Sequence, residues 1–115
     1  MITCICELPR RLKCAQTKTA CEILDECNAL AQLDLINSDD IKSHLSRHPE
    51  LINDWLCYSE DQRCTPANCF IEINQGYTVA RYPGGVKMVF DDRASACTEF
   101  IIRQLDRILD LRKTK

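Results

Sequence analysis

The sequence predicts an α+β fold in a single domain: N-terminal helices, a three-stranded antiparallel β-meander, and a C-terminal helix packed on the sheet. Three observations predict it. Apolar residues between Ala20 and Leu56 recur in steps of three and four, the spacing of a helix face. From Phe70 the pattern changes to short strand-like runs separated by two turn clusters. After Asp91-Asp92 the helical spacing returns and continues to about Leu111. A chain of 115 residues is the length of one domain with a modest core.

Residues 1–18 carry the weakest pattern. Leu8-Pro9 marks a turn or a helix start, and Arg10-Arg11-Leu12-Lys13 can begin a short helix. A stronger helix starts near Thr19, where Thr19-Ala20-Cys21-Glu22 has the capping-box form. Its apolar stripe is Ala20, Leu24, Cys27, Ala31 and Leu35, and Asn37-Ser38 ends it. Ser38 or Asp39 can cap a second helix carrying Ile41 and Leu45. Pro49 disfavours helical geometry at His48 and suits the first turn of a third helix. That helix has a narrow apolar face of Leu51, Ile52, Trp55 and Leu56. Residues 59–69 are polar, contain Pro66, and read as a loop.

Phe70–Ile73, Tyr77–Tyr82 and Val86–Phe90 then read as strands, with Asn74-Gln75-Gly76 and Pro83-Gly84-Gly85 as turns. Turns this short join antiparallel neighbours. Asp91-Asp92 supplies an N-cap and negative charge at the start of the last helix. Ala94, Cys97, Ile101, Leu105 and Ile108 form its inner stripe, widened by Phe100, Ile102 and Leu109. Arg93, Glu99, Arg103, Asp106 and Arg107 lie outward, with Glu99 and Arg103 at ion-pair spacing. Residues 113–115 should fray.

Composition is that of a globular domain, 45% hydrophobic and 28% charged, which argues against disorder. No apolar run approaches the roughly 18 residues of a membrane span. The N-terminus lacks the basic and apolar regions of a signal peptide, so the expected location is the cytoplasm. Net charge is −2, unevenly spread. Residues 1–62 carry 6 basic and 11 acidic side chains, and residues 63–115 carry 9 basic and 6 acidic. Such asymmetry can mark an interaction surface.

Nine cysteines stand at 4, 6, 14, 21, 27, 57, 64, 69 and 97. A disulfide framework is disfavoured by the ample supply of Leu, Ile and Val and by the expected location. A zinc site usually needs two close-spaced ligand pairs, and no C-x-x-C is present. The expectation is reduced thiols, several of them in the core, with Cys27 and Cys97 on apolar helix faces. No metal and no cofactor is expected.

Other constellations read more simply as structure. His44 and His48 share a helix face, as metal-binding pairs do, but His-Leu-Ser-Arg-His lacks the glutamate base and Pro49 ends the helix. Asp39-Asp40 and Asp91-Asp92 sit where caps belong. Gly84-Gly85 is a hairpin turn with no helix start behind it to cradle phosphate. Tyr77, Arg81, Tyr82 and Lys87 place aromatic and basic groups on the sheet, as single-strand nucleic-acid binders do. Tyr77 and Tyr82 nevertheless have opposite parity, and the acidic N-terminal half disfavours phosphate contact.

Glu60-Asp61-Gln62-Arg63, Phe70, Gly76-Tyr77-Thr78-Val79, Phe90-Asp91-Asp92 and Ala96-Cys97-Thr98-Glu99-Phe100-Ile101-Ile102 carry a resemblance. Residues 60–102 resemble the C-terminal part of short uncharacterised bacterial proteins of mobile elements and toxin–immunity loci. The resemblance implies a cargo or immunity role and assigns no functional residue.

The expected function is therefore a small non-enzymatic protein-binding module. Its partner is expected to be another protein of basic character, with no membrane or nucleic acid involved. The acidic residues Asp25, Glu26 and Asp54 are the candidate partner-binding positions, because capping accounts for others such as Glu22 and Asp39. The rival readings are a metal- or thiol-dependent enzyme using Cys57, Cys64 and Cys69, and a nucleic-acid-binding regulator.

Overall fold

The computed structural model describes residues 2–14, 19–26, 36–61, 67–73, 76–82 and 88–113. Among the described residues five helices precede the sheet: α1 (Ile2–Cys6), α2 (Leu8–Cys14), α3 (Ala20–Glu26), α4 (Ser38–Arg47) and α5 (Glu50–Asp61). Strands β1 (Ala67–Ile73), β2 (Gly76–Tyr82) and β3 (Met88–Phe90) follow, then α6 (Arg93–Lys113). The sheet is an antiparallel meander in the order β1-β2-β3. The architecture is the α+β arrangement that the sequence predicts.

The core organises around α6, which packs against α3, α4, α5 and all three strands. Its predicted inner stripe is buried at every position: Ala94, Cys97, Ile101, Leu105 and Ile108. Phe100 is fully buried as well and stacks on Phe70 of β1 with ring centroids 5.7 Å apart. Trp55 and Tyr58 of α5 meet the same ring edge-on at 5.8 and 6.2 Å. Edge-to-face rings each add a specific orientation to the apolar burial they bring. Arg103 Nε donates to Glu99 Oε1 at 2.9 Å, the predicted pair on the outer side of α6.

The first residues form more structure than their pattern suggests. α1 and α2 are two short helices, and Cys4, Ile5, Cys6 and Leu8 belong to the core. Trp55 Nε1 donates to the Cys6 carbonyl at 2.9 Å, in a buried site. That bond satisfies one of the carbonyls that a helix end leaves open. Burial against α4 and this long-range bond hold a helix too short to form alone.

Several boundaries move. The cap of α4 is Asn37, whose Oδ1 accepts from the Asp39 N–H at 2.8 Å, so neither Ser38 nor Asp39 is the cap. α5 continues through residues 59–61, because no glycine or proline interrupts it before Pro66. β1 begins at Ala67, inside the segment expected to be a loop. The short 74–75 connection fixes the register, and Ala67, Asn68 and Cys69 then fall opposite Tyr82, Arg81 and Ala80. Pairing thus overrides a locally polar composition. The long helix predicted from Thr19 to Leu35 is described to Glu26, and its continuation lies outside the described residues. Lys113 is the last residue of α6.

Strand parity divides the sheet into two faces. Phe70 and Val79, and Tyr77 with its partners Glu72 and Phe90, project on the side of α6. Ile71, Thr78 and Val89 lie across from one another on the opposite side. The outer edge of β1 is partly closed by α5: the Phe70 N–H donates to Ser59 Oγ at 2.7 Å. Gly76 admits β3 closely, since a Cβ there would stand 2.7 Å from the Phe90 carbonyl oxygen.

Candidate partner-binding surface

The three acidic positions singled out in the sequence lie on α3 and α5, and α2 packs against both of these helices. Asp25 and Glu26 are exposed in the last turn of α3. Asp54 is half-buried on α5 and accepts from Arg10 Nε of α2 in an ion pair. That hydrogen bond, and then the charge of Asp54, hold the Arg10 guanidinium still more firmly protonated. The carboxylate of Asp54 therefore belongs to a bridge between α2 and α5. Arg11 of α2 is paired in turn with Glu7, at 3.3 Å.

Between α2 and α5 runs a groove of about 190 Å³ lined by Pro9, Leu12, Lys13, Asp54 and Tyr58. Its geometry follows from helix spacing. Pro9 and Leu12 are three apart on α2, and Asp54 and Tyr58 four apart on α5, so each pair shares one face. Pro9, Leu12 and the Tyr58 ring give an apolar floor, while Lys13 and Asp54 are the charged members of the rim. Tyr58 is held in place by Trp55, with ring centroids 5.2 Å apart, and by Gln104 of α6, whose Nε2 donates to its hydroxyl at 2.8 Å. The volume is below the roughly 300 Å³ at which small-molecule sites begin. It accommodates one large side chain. Sequence reading found Asp54 but missed the groove, because α2 had no readable face. The four-residue step from Asp54 to Tyr58 was the available signal.

The rival constellations are placed as follows. His44 and His48 have ring centroids 4.7 Å apart at the end of α4, and His48 Nδ1 lies 3.6 Å from Glu50 Oε1. Burial first, then the neighbouring His48 and Arg47, lowers the pKa of His44 below the usual imidazole value. Cys57 is exposed on α5 and Cys69 is half-buried on β1, while Cys64 lies outside the described residues. Among the described residues no three His, Cys, Asp or Glu side chains are grouped to hold a metal. Cys4, Cys6 and Cys97 are buried thiols. Burial, with Glu7 adding to it, pushes the Cys6 thiol up to about 12, and burial likewise raises Cys97. Both are protonated core residues at neutral pH, the opposite of an activated nucleophile. Cys27 falls outside the described residues. Tyr77 of the sheet rests 6.3 Å from Phe70, on the side turned to α6. It is half-buried and packed against the core. Lys87 and the side chains of Arg81 and Tyr82 lie outside the described set.

Asp92 caps α6 and also lies 3.6 Å from Lys42 Nζ of α4. It accepts from the Ser95 hydroxyl at 2.8 Å and from the N–H groups of Ser95 and Ala94, and these bonds, the Ser95 hydroxyl's first, lower its pKa. No described helix is long and apolar enough to cross a membrane. Comparisons with protein-family models, with curated proteins and with solved structures return no match.

Proposed function

We propose that this chain is a small non-enzymatic protein-binding module that meets its partner on the surface built by α2, α3 and α5. The observation that carries the reading is the groove between α2 and α5: an apolar floor of one side chain's size, framed by Lys13 and Asp54. An apolar anchor site with a charged surround is the usual composition of a protein–protein hot spot. Asp25 and Glu26 stand exposed on the adjoining helix. Clustered carboxylates there speed encounter with a partner bearing a basic patch, an effect that added salt weakens. The resemblance of residues 60–102 to mobile-element and toxin–immunity proteins makes the product of a neighbouring gene the first partner to try.

The test is affinity capture from the native host, comparing wild type with an Asp25→Lys, Glu26→Lys double variant. Asp54→Asn is tested separately, because a lysine at that position would face Arg10. The double variant recovers less of the partner that wild type recovers and melts at nearly the same temperature, since exposed charges contribute little to stability. Equal recovery by both forms would remove the acidic flank from the account.

A further inference from the structure

We infer that the groove between α2 and α5 takes an apolar side chain that has a carboxylate beside it, so that the segment docking there is an acidic peptide with a single apolar anchor. This rests on the protein-binding reading and adds the chemistry of the segment that fills the site. Size is the first argument: about 190 Å³ holds one side chain of leucine or phenylalanine dimensions.

Charge is the second. Of the two charged groups on the rim, Asp54 is already held by Arg10. Lys13 is exposed and has no ion-pair partner among the described residues. Arg11 is occupied by Glu7. Among the described residues the uncompensated charge at the groove is therefore positive, although the N-terminal half of the chain is acidic as a whole. A basic occupant would be repelled by Lys13 and would have to displace Arg10. An acidic one gains a charge-assisted contact and displaces nothing. Preorganisation is the third argument. Tyr58 is fixed by its hydroxyl bond with Gln104 and its contact with Trp55, so docking costs little ordering of the wall.

The test titrates the full chain with three blocked seven-residue peptides while following its amide and leucine-methyl resonances. One peptide has a central leucine flanked by aspartates. The second replaces the leucine with alanine, and the third replaces the aspartates with lysines. The first is expected to give saturable shifts at Leu12, Lys13, Asp54 and Tyr58, with the other two far weaker. Lys13→Met, which keeps the stem and removes the charge, should weaken the first peptide about tenfold, the weight of one charge-assisted hydrogen bond. Lys13→Glu should weaken it further. The Asp25→Lys, Glu26→Lys double variant should still bind the first peptide at least as well as wild type does.

Saturable shifts that map elsewhere, equal binding of the basic peptide, or indifference to Lys13→Met would each overturn the inference. If the peptide fails while wild type still captures its partner and the double variant does not, the groove assignment falls and the module reading stands. If the peptide binds as expected while capture ignores the double variant, the acidic flank falls and the groove remains.

Discussion

A histidine and the cysteines are set by their surroundings in ways that solution measurements can read. His44 is half-buried, and its environment lowers its pKa. Its unfolded value is about 6.5, so the unfolded chain binds the proton more tightly than the folded one. The contribution of His44 to stability is complete above pH 6.5 and is lost as pH falls through the lower folded value. Urea midpoints at pH 7.5 and 5.5 should fall more for wild type than for His44→Gln, whose side chain does not titrate. Identical shifts would show that the histidine is not the source. The thiols make the second case. Cys14 and Cys57 are exposed, while Cys4, Cys6 and Cys97 are buried with Cys6 raised to about 12. Brief alkylation of native protein, mapped by peptide mass, should label Cys14 and Cys57 and leave Cys4, Cys6 and Cys97 untouched until urea is added. Rapid labelling of Cys6 in the native state would contradict its place in the core.

Among the described elements, α6 packs against the widest set of others, and it was also the most legible in the sequence. Its stripe runs over four turns without interruption and its cap residue is a carboxylate, so periodicity and start signal agree. Replacing the fully buried Ile101 with alanine should cost about 2–5 kcal/mol, the range for truncating a large buried aliphatic residue. Chemical denaturation measures it, and a loss below about 0.5 kcal/mol, the usual bound for a surface substitution, would place Ile101 off the core face. The elements that sequence reading missed are those made by distant partners. α1 has five residues and no cap signature; what fixes it is burial against α4 and the bond from Trp55, forty-nine residues away. The start of β1 is polar, and only the register with β2 makes it strand. Asn37, one step before Ser38 and two before Asp39, is the cap, a choice among three capping residues that local pattern does not rank.

At the scale of the whole molecule the charge pattern legible in the sequence is rearranged by the fold. Acidic residues predominate up to residue 62, yet α2, which packs against both α3 and α5, sets Arg10 on Asp54 and Arg11 on Glu7 and lines the groove with Lys13. Net charge of a segment could not foretell this, since it does not say which side chains neutralise each other. The sheet face turned away from α6 differs in kind. Ile71 and Val89 are 50% and 60% exposed on the outer sheet face, giving an uncharged row with Thr78 sheltered between them. The two surfaces allow a direct test of where the partner sits. A photo-crosslinking amino acid is placed singly at position 13, 25 or 89, and the chain is irradiated in its native host. Covalent adducts to one common partner from positions 13 and 25, with none from 89, are the predicted result. Adducts from position 89 with none from 13 or 25 would contradict it, moving the interaction from the α2–α3–α5 surface to the sheet.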